Sequence, residues 1–453
     1  MNVEGQRILV VGMGRSGLSV ARWLAKEGAR VTVSEVKAEK ELDKALVDDM
    51  RSRGIVVETG GHREESFLSA DLIVPSPGVP LDMGPLQAAE QKGVPLLGEM
   101  ALALQQVDAP IVAVTGTNGK STVTAFLGAM LAAGGLRVFV GGNIGTPLSD
   151  FVAERQQADV VVLEVSSFQL DTMESFQPSI GLLLNISPDH LDRYSSYEAY
   201  VQSKLRIFKD QGPGHVAILN DDDVLLSDFM PSGKALVLRY GEEKGKNRQA
   251  FVEGQRIIAA LPGGAAHAFS LEKCALPGKH NRENLMGAVL TGLALKVEAP
   301  IIQQTMDRFQ GLPHRLELVA RIRDVDFYND SKATNVEAAA RSVGSFDRPV
   351  VLIAGGRHKG SDYAPLVQVA KGRVRKAVLL GESKHLLAQA FEKVIAFSLA
   401  DTMAEAVAQA FTAARPQDVV LLAPACSSFD MFTDYAERGV AFREAVKGLG
   451  HEW

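Results

Sequence analysis

A strand, a glycine-rich turn and a helix follow one another between residues 111 and 130, and this succession restricts the fold more than any other stretch. The run 111–114, IVAV, is apolar and β-branched, as in a buried parallel strand. GTNGKST (116–122) comes next, followed by apolar residues at helical spacing. Backbone N–H groups of such a turn and the positive end of the helix dipole face an anion. The segment therefore predicts an α/β domain with a phosphate site.

The turn carries the side chains that a nucleoside triphosphate with Mg²⁺ requires. Its lysine can meet the terminal phosphates, and a hydroxyl can reach Mg²⁺. Two residues separate its glycines where the usual P-loop has four, which departs from the pattern without changing the physics. An ordinary turn with a solvated lysine is the alternative. The predicted phosphate-binding residues are Gly116, Thr117, Asn118, Gly119, Lys120, Ser121 and Thr122.

Strand-like and helical runs alternate through most of the 453 residues, as in α/β folds with parallel sheets. A chain of this length exceeds one ordinary core, and the alternation restarts twice. We predict three domains: a Rossmann-like domain at 1–98, a central P-loop-type ATPase domain with a parallel sheet at 99–311, and a Rossmann-like domain at 312–453. The glycine-rich stretch from about 234 to 275 predicts small β-strands within the central domain.

The first segment also carries a dinucleotide fingerprint. Gly12, Gly14 and Gly17 form Gly-x-Gly-x-x-Gly between a strand and a helix, and Glu35 ends the next strand, where an acid could hold a ribose hydroxyl. Taken alone, this pattern indicates NAD or FAD. Glycines that only allow tight packing, or a turn that holds the diphosphate of another nucleotide, are the alternatives. A dehydrogenase has no use for a Mg–ATP turn, so GTNGKST favours the last of these.

Three ionisable residues of the central segment are candidates for a site. Glu164 lies in the apolar run VVVLEVSS, where a lone carboxylate needs a cation or hydrogen bonds. Mg²⁺ shared with the phosphate turn would meet that need, and a salt bridge to a lysine is the alternative. His190 lies in a polar turn after a strand, where α/β proteins place sites. Lys204 lies on a probable helix among charged residues, and by itself indicates a solvated side chain.

Polar loops follow several strands of the third segment. Arg315 suits a phosphate because its guanidinium is bidentate. The loops are YNDSKATN (328–335), GGRHKGSDY (355–363) and APACSSFDMF (423–432). An ordinary solvated loop explains any one of them. Several such loops at the strand ends of one domain predict a site that faces the phosphate turn.

Composition argues against several classes of partner. The net charge of −6 disfavours non-specific nucleic-acid binding. No apolar run reaches membrane-spanning length, and the first residues lack a signal-peptide core. Cys274 and Cys426 offer neither a metal spacing nor a disulfide framework, which suits a reducing compartment. We expect a cytoplasmic protein without nucleic-acid binding or membrane insertion.

A set of motifs that runs nearly end to end resembles the Mur ligases, the ATP-dependent amide-forming enzymes of peptidoglycan assembly. The motifs are GTNGKST, LEVSSFQL, DHLDRY with SKLRIF, GKHNREN, GLPHRLE, NDSKATN and PACSSFDMF. NDSKATN stands where members with other amino-acid substrates carry an Asp-Tyr-Ala-His type run. The resemblance is therefore narrower, to members that add D-glutamate to UDP-N-acetylmuramoyl-L-alanine. It implies those two substrates and ATP as small-molecule partners, and a monomer.

The resemblance implies roles at matching positions. The catalytic residues would be Lys120, Glu164, His190 and Lys204. Two Mg²⁺ ions would be held by Ser121, Glu164, His190 and Lys204, the last as a carbamate, which reverses the solvated interpretation. Asn284, Arg315 and Asp330 would join the phosphate turn in binding ATP. D-Glutamate would be surrounded by Lys332, Thr334, Lys359, Ser428 and Tyr435, the last where members commonly carry phenylalanine. The UDP substrate would contact Gly14, Arg15, Ser16, Glu35, Ser76, Asn143, Ser166 and Gln169, although Glu35-Val36-Lys37 departs from an Asp-Thr-Arg type run.

The implied reaction passes through an acyl phosphate that the amine attacks, with release of ADP and phosphate. A folylpolyglutamate synthase-like ligase is one alternative, against which NDSKATN and the Rossmann-like first domain argue. An NAD-dependent oxidoreductase using the fingerprint is a second. A non-catalytic nucleotide switch is a third, and it would handle ATP without amino-acid dependence.

Overall fold

The structure is a computed structural model that describes residues 3–189, 193–358 and 360–449. Its strands form sheets of four, nine and six strands. The chain divides into two compact units, one of Met1–Leu271 with Glu283–Thr305 and one of Glu272–Arg282 with Met306–Trp453. The α/β class with predominantly parallel sheets is confirmed. The three domain boundaries stay a prediction.

The first sheet has the order β3-β2-β1-β4, with all neighbours parallel. Strand β1 is buried at Ile8 to Val11, as expected of a central strand covered on both faces. The strands are β1 (Arg7–Val11), β2 (Arg30–Glu35), β3 (Val56–Thr59) and β4 (Leu72–Pro75). The helices are α1 (Arg15–Lys26), α2 (Lys44–Ser52), α3 (Glu64–Ser69) and α4 (Gly84–Gln91). A 3₁₀ turn occupies Glu39–Glu41.

The second sheet has the order β13-β12-β11-β10-β9-β8-β5-β7-β6. Its strands are β5 (Ile111–Thr115), β6 (Val138–Gly142), β7 (Val160–Glu164), β8 (Ile180–Leu183), β9 (Val216–Asn220), β10 (Leu236–Tyr240), β11 (Ala250–Glu253), β12 (Arg256–Ala259) and β13 (His267–Ser270). Strands β10 to β13 confirm the small strands predicted in the glycine-rich stretch, and β12 pairs antiparallel with both β11 and β13. Parallel β5 lies between β7 and β8, so the carboxyl ends of these three strands meet at one sheet edge.

Within the described residues, seven α-helices accompany the second sheet along the chain. They are α5 (Glu99–Leu104), α6 (Lys120–Ala133), α7 (Leu148–Ala153), α8 (Ser167–Asp171), α9 (Tyr197–Leu205), α10 (Lys279–Ala294) and α11 (Ala299–Arg308), with a 3₁₀ turn at Arg206–Phe208. Helix α6 buries apolar residues that include Val123, Phe126, Leu127 and Met130. The strand, turn and helix predicted from residues 111–130 are therefore confirmed.

The third sheet has the order β14-β15-β19-β16-β17-β18, parallel except for the β14–β15 pair. Its strands are β14 (Glu317–Ile322), β15 (Val325–Asn329), β16 (Val350–Gly355), β17 (Val374–Leu380), β18 (Phe397–Leu399) and β19 (Val419–Leu422). Its helices are α12 (Val336–Gly344), α13 (Ala364–Ala370), α14 (Lys384–Phe391), α15 (Met403–Ala413) and α16 (Tyr435–Leu449). Loops 330–335 and 423–432 thus follow the adjacent strands β15 and β19. No helix in the described part of the chain is long and apolar enough to cross a bilayer.

Candidate active site

The phosphate turn, residues 116–122, has a backbone that only glycine adopts without strain at two positions. Gly116 has φ of 147° and Gly119 has φ of 86°. A Cβ on Gly119 would also overlap the Asn284 side chain, so this residue of α10 packs directly on the turn. The amide N–H of Asn118 donates to Asn185 Oδ1 at 2.9 Å, which joins the turn to the segment after β8. The turn is thus held from two neighbouring elements.

Two lysines share one carbonyl of this turn. Lys120 Nζ donates to Gly116 O at 2.7 Å and to Thr117 O at 3.0 Å. Lys204 Nζ, from α9, donates to the same Gly116 O at 3.0 Å. Lys204 is only 2% exposed, so its interpretation as a solvated lysine is wrong. Lys204 lies on the buried face of α9 together with Tyr200 and Ser203, which charge counting along the sequence does not reveal.

The surroundings of Lys204 favour its neutral form. Burial, and then the nearby positive charge of Lys120, lower the pKa of Lys204 well below the usual value. The Lys204 amine lies 4.6 Å from the centre of the Tyr200 ring. The Tyr200 hydroxyl in turn lies 3.0 Å from Thr117 Oγ1 in the phosphate turn. Tyr200 was not among the residues predicted from the sequence, and its i, i+4 spacing to Lys204 on one helix is the signal that could have found it.

Glu164 is the last residue of β7, and only one of its two carboxylate oxygens has a hydrogen-bond partner among the described residues. Its Oε1 accepts a hydrogen bond from Asn143 Nδ2 at 2.6 Å. Its Oε2 is buried and has no hydrogen-bond partner among the described residues. No described lysine forms a salt bridge with Glu164, so that alternative is not supported. Glu164 pairs in register with Val114, two positions before the phosphate turn. A buried, unpaired carboxylate oxygen beside a phosphate turn fits a hard divalent cation.

Ser121 is another described residue that was predicted to hold Mg²⁺. It is the second residue of α6 and is buried. A hydroxyl and a carboxylate are oxygen donors of the kind that Mg²⁺ prefers. His190 lies outside the described residues, so its predicted ligand role stays a prediction.

The fingerprint turn, residues 12–17, is closed by an internal carboxylate. Glu35 Oε2 accepts from the Met13 amide at 2.8 Å, and its Oε1 accepts from the Lys37 amide at 3.0 Å. A Cβ on Gly17 would overlap Gly12 O, so this glycine is needed for the approach of α1 to β1. Ser76 Oγ donates to Gly12 O at 3.3 Å. Glu35 and Ser76 therefore border this turn, with the Glu35 carboxylate already engaged by backbone.

Four other predicted substrate residues have structural partners. Arg15 Nη1, at the start of α1, donates to Gly145 O at 2.7 Å. Asn143 orients the Glu164 carboxylate. Ser166 and Gln169 form a capping box on α8: the Gln169 amide donates to Ser166 Oγ at 3.3 Å and the Ser166 amide donates to Gln169 Oε1 at 3.0 Å. Gly14 precedes α1 as its N-cap, and Ser16 lies in its first turn.

The third sheet brings several predicted residues to its carboxyl edge. Asp330 accepts hydrogen bonds from Ser342 Oγ and, at 3.3 Å, from the Leu316 amide. Burial raises the pKa of Asp330 to about 6, against which the Ser342 hydrogen bond and the positive charge of Arg315 act. The Lys332 amine lies 3.7 Å from the centre of the Tyr435 ring. The Thr334 amide donates to Lys332 O at 2.8 Å.

Ser428 lies on the neighbouring loop after β19 and is 2% exposed. The Phe432 amide donates to its carbonyl at 2.9 Å. Lys332, Thr334, Ser428 and Tyr435 therefore occur on two adjacent loops and the start of α16. Lys359 lies outside the described residues.

Three family models match separate parts of the chain. The model described as "Mur ligase MurD-like, N-terminal domain" matches residues 6–98. The model described as "Mur ligase middle domain" matches 114–292. The model described as "Mur ligase, glutamate ligase domain" matches 314–426.

Two curated relatives are similar over the whole length. The UDP-N-acetylmuramoylalanine--D-glutamate ligase of Desulfosudis oleivorans is 44% identical, over 99% of this chain and 98% of the relative. The protein of the same name from Geotalea uraniireducens is 42% identical, over 99% of both. Among solved structures, the UDP-N-acetylmuramate-alanine ligase of Thermotoga maritima has a TM-score of 0.61 at 17% identity, over 98% of this chain and 100% of that chain. The structural likeness shows the fold.

Proposed function

This chain belongs to the Mur ligase family, and we propose that it adds D-glutamate to UDP-N-acetylmuramoyl-L-alanine in a cytoplasmic step of peptidoglycan synthesis, as a monomer. ATP-dependent amide formation is the activity of the family. The choice of D-glutamate is supported by the names of the full-length relatives and by the NDSKATN loop after β15. The observation that carries the chemistry is the unpaired Glu164 oxygen beside a turn held by two lysines.

A carboxylate and an amine do not condense in water until the leaving oxygen is activated. ATP transfers its γ-phosphoryl group to the carboxylate of the UDP substrate, which forms an acyl phosphate and ADP. The amine of D-glutamate attacks the acyl carbon, the amide bond forms, and inorganic phosphate leaves. Lys120 would exchange its contacts with Gly116 O and Thr117 O for contacts with phosphate oxygens.

Ser121 and Glu164 would hold one Mg²⁺, and His190 with carbamoylated Lys204 would hold a second. When bound, Mg²⁺ neutralises charge that develops on the transferred phosphoryl group. Asn143 keeps the Glu164 carboxylate in one orientation through the 2.6 Å hydrogen bond to its Oε1. The unpaired Glu164 Oε2 is the described atom that supports this assignment.

The state of Lys204 supports its proposed carbamate. An amine must be neutral to attack CO₂, and burial together with Lys120 lowers the pKa of Lys204 in that direction. The resulting carbamate would be an anion beside the cation of Lys120. It would replace the Lys204 contact to Gly116 O with an interaction between opposite charges.

Binding roles follow the placement of the loops. ATP would be held by the phosphate turn with Asn284, Arg315 and Asp330. D-Glutamate would be held by Lys332, Thr334, Lys359, Ser428 and Tyr435. The UDP substrate would be held by Gly14, Arg15, Ser16, Ser76, Asn143, Ser166 and Gln169, whereas Glu35 would act indirectly. Because backbone N–H groups already occupy the Glu35 carboxylate, we assign it to shaping the fingerprint turn rather than to a direct contact.

The test is phosphate release from ATP in the presence of UDP-N-acetylmuramoyl-L-alanine and a panel of D- and L-amino acids. We expect turnover with D-glutamate and none with L-glutamate or neutral amino acids. Turnover with another amino acid alone, or with a folate substrate and L-glutamate, would contradict the proposal. ATP hydrolysis that ignores the amino acid would instead indicate a nucleotide switch.

A further inference from the structure

Arg438 is the largest side chain of the described residues that is almost completely buried, at 2% exposure. It lies in the first turn of α16, three residues after Tyr435. Arg438 was not among the residues predicted from the sequence, because an arginine near a helix start is usually solvated. Burying a guanidinium is costly unless its donors are satisfied, so its surroundings require an explanation.

The guanidinium joins two loops that are distant in sequence. Arg438 Nε donates to Ser331 Oγ at 3.0 Å, and its Nη2 donates to Ser331 O at 2.9 Å. Its Nη1 donates to Cys426 O at 3.1 Å and to Ser427 O at 3.2 Å. Ser331 begins the run that contains Lys332 and Thr334, and Ser427 precedes Ser428. One side chain thus fixes the backbone next to three proposed D-glutamate residues.

The same group of contacts includes the fourth proposed residue and a third loop. Ser331 Oγ donates to Tyr435 O at 2.7 Å, which ties the start of α16 to the loop after β15. The Arg357 amide donates to Ser427 O at 3.0 Å, which adds the loop after β16. A Cβ on Gly356, in that loop, would lie 3.1 Å from Arg438 Nη1, so the loop packs against the guanidinium. Arg438 is therefore central to the arrangement of all three loops.

The Arg438 guanidinium has no carboxylate among its hydrogen-bond acceptors. Its four hydrogen-bond acceptors are a hydroxyl and three carbonyls, and no ion pair within the described ranges includes it. Burial lowers the pKa of Arg438 to about 10, opposed by Asp430, so the side chain remains charged at neutral pH. A buried positive charge in a region of low dielectric acts strongly on nearby anions.

We propose that Arg438 is a positioning residue for the amino-acid substrate, and that its buried charge favours a dicarboxylic amino acid over a neutral one. This inference rests on the proposed function and adds a residue to it. The fork of the guanidinium fixes Ser331 and Ser427, so that Lys332, Thr334 and Ser428 meet the substrate in one geometry. The charge that its neutral acceptors leave unpaired stabilises the second carboxylate of the substrate.

The test measures KM separately for D-glutamate, ATP and UDP-N-acetylmuramoyl-L-alanine in four variants. Arg438→Met removes the charge and the donors but keeps a long apolar stem. Arg438→Lys keeps the charge without the fork, and Ser331→Ala keeps Arg438 but removes one acceptor. Lys447→Met is the matched control, since it removes one positive charge from the exposed face of the same helix.

We expect Arg438→Met to raise KM for D-glutamate about tenfold or more, the change that 1.4 kcal/mol of binding produces. KM for ATP should stay within about twofold, because the phosphate turn is untouched. Arg438→Lys should lie between wild type and Arg438→Met, and Ser331→Ala should raise KM for D-glutamate by a smaller factor. Lys447→Met should match wild type.

Equal changes in all three KM values, or an unchanged KM for D-glutamate in folded Arg438→Met, would overturn the inference. If Arg438→Met does not fold, an unchanged KM for D-glutamate in both Ser331→Ala and Arg438→Lys, each of them folded, would overturn the inference. If the inference fails in either way while the wild-type protein still turns over D-glutamate, the proposed function is not contradicted. Wild-type protein without D-glutamate turnover would overturn both.

Discussion

The fingerprint turn (12–17) and the phosphate turn (116–122) share a strand, glycines and a following helix, yet their charges are opposite. In the fingerprint turn an internal anion, Glu35, accepts from the backbone. In the phosphate turn the cation Lys120 and the buried amine of Lys204 both donate to the backbone carbonyl of Gly116. Glycine allows the backbone to adopt both turns, and the nearby charged side chains determine which ligand each turn can bind. This is why a glycine pattern alone did not distinguish NAD from another nucleotide.

Of the substitutions considered for the two turns, removal of Lys120 should lower turnover the most. Lys120→Ala is expected to lower kcat about 10²–10³-fold, because one preorganised charged donor to the transferred phosphoryl group is lost. The thermal midpoint should hardly change. Lys26→Ala, on the helix that follows the fingerprint turn, is the control, since its amine is exposed and donates to Ala153 O. Wild-type turnover by Lys120→Ala would contradict the role of this lysine in phosphate binding, which distinguishes the two turns.

Removal of Lys204 should have the second largest effect on turnover, and a small carboxylic acid should partly restore the rate. Lys204→Ala is expected to be nearly inactive, with part of the rate restored by acetate, which supplies the missing carboxylate. Lys204→Arg should stay inactive, since a guanidinium keeps the wrong charge. Lys209→Ala, a lysine that follows the same helix, is the control. Near-normal turnover by Lys204→Ala would refute the carbamate role.

The pH dependence of stability tests the Lys204 surroundings without activity. The folded pKa of Lys204 is lowered, so below the usual lysine value the unfolded chain binds more protons, and this group's contribution to stability rises with pH. Lys204→Met should therefore be more stable than wild type near pH 7 in CO₂-free buffer. The difference should shrink as pH approaches the usual lysine pKa, about 10.4. A pH-independent difference in thermal midpoint would contradict the lowered pKa of the buried Lys204 amine.

Asn143 should have a moderate effect that is confined to the metal. Asn143→Ala is expected to weaken Mg²⁺ binding about 10–100-fold, because an outer-shell hydrogen bond to Glu164 is lost. Glu164→Gln should weaken it at least as much. Mn²⁺ binding measured by electron paramagnetic resonance gives a readout independent of turnover. Asn118→Ala, within the phosphate turn, should disturb ATP binding more than Mn²⁺ binding. Equal Mn²⁺ affinity in wild type and Glu164→Gln would exclude metal ligation.

Glu35 should have the smallest effect, and on stability rather than chemistry. Glu35→Gln leaves one acceptor oxygen for two amides, and the loss of one charge-assisted hydrogen bond costs about 1.5–3 kcal/mol of unfolding free energy. Glu41→Gln, at an exposed capping position that accepts from the Ala38 amide, is the control. Urea unfolding measures both. An unchanged midpoint together with lost turnover would make Glu35 a direct substrate contact instead.

Local features were predictable from the sequence. The IVAV run, the glycine spacing of the phosphate turn and the apolar face of α6 each depend on residues a few positions apart, and all are present in the structure. The placement of Glu164 at a strand end was predictable for the same reason. The small strands β10 to β13 followed from alternation and glycines.

Other features depended on contacts between distant residues. The sequence by itself determined the α/β alternation and the two glycine turns, because steric and hydrophobic preferences act within one element. Only the tertiary structure decided the burial of Lys204, whose partner Gly116 is 88 positions away. It also decided the burial of Arg438, whose partner Ser331 is 107 positions away. The pKa of a side chain depends on the dielectric and charges around it, and these are set by packing between elements rather than by neighbours along the chain.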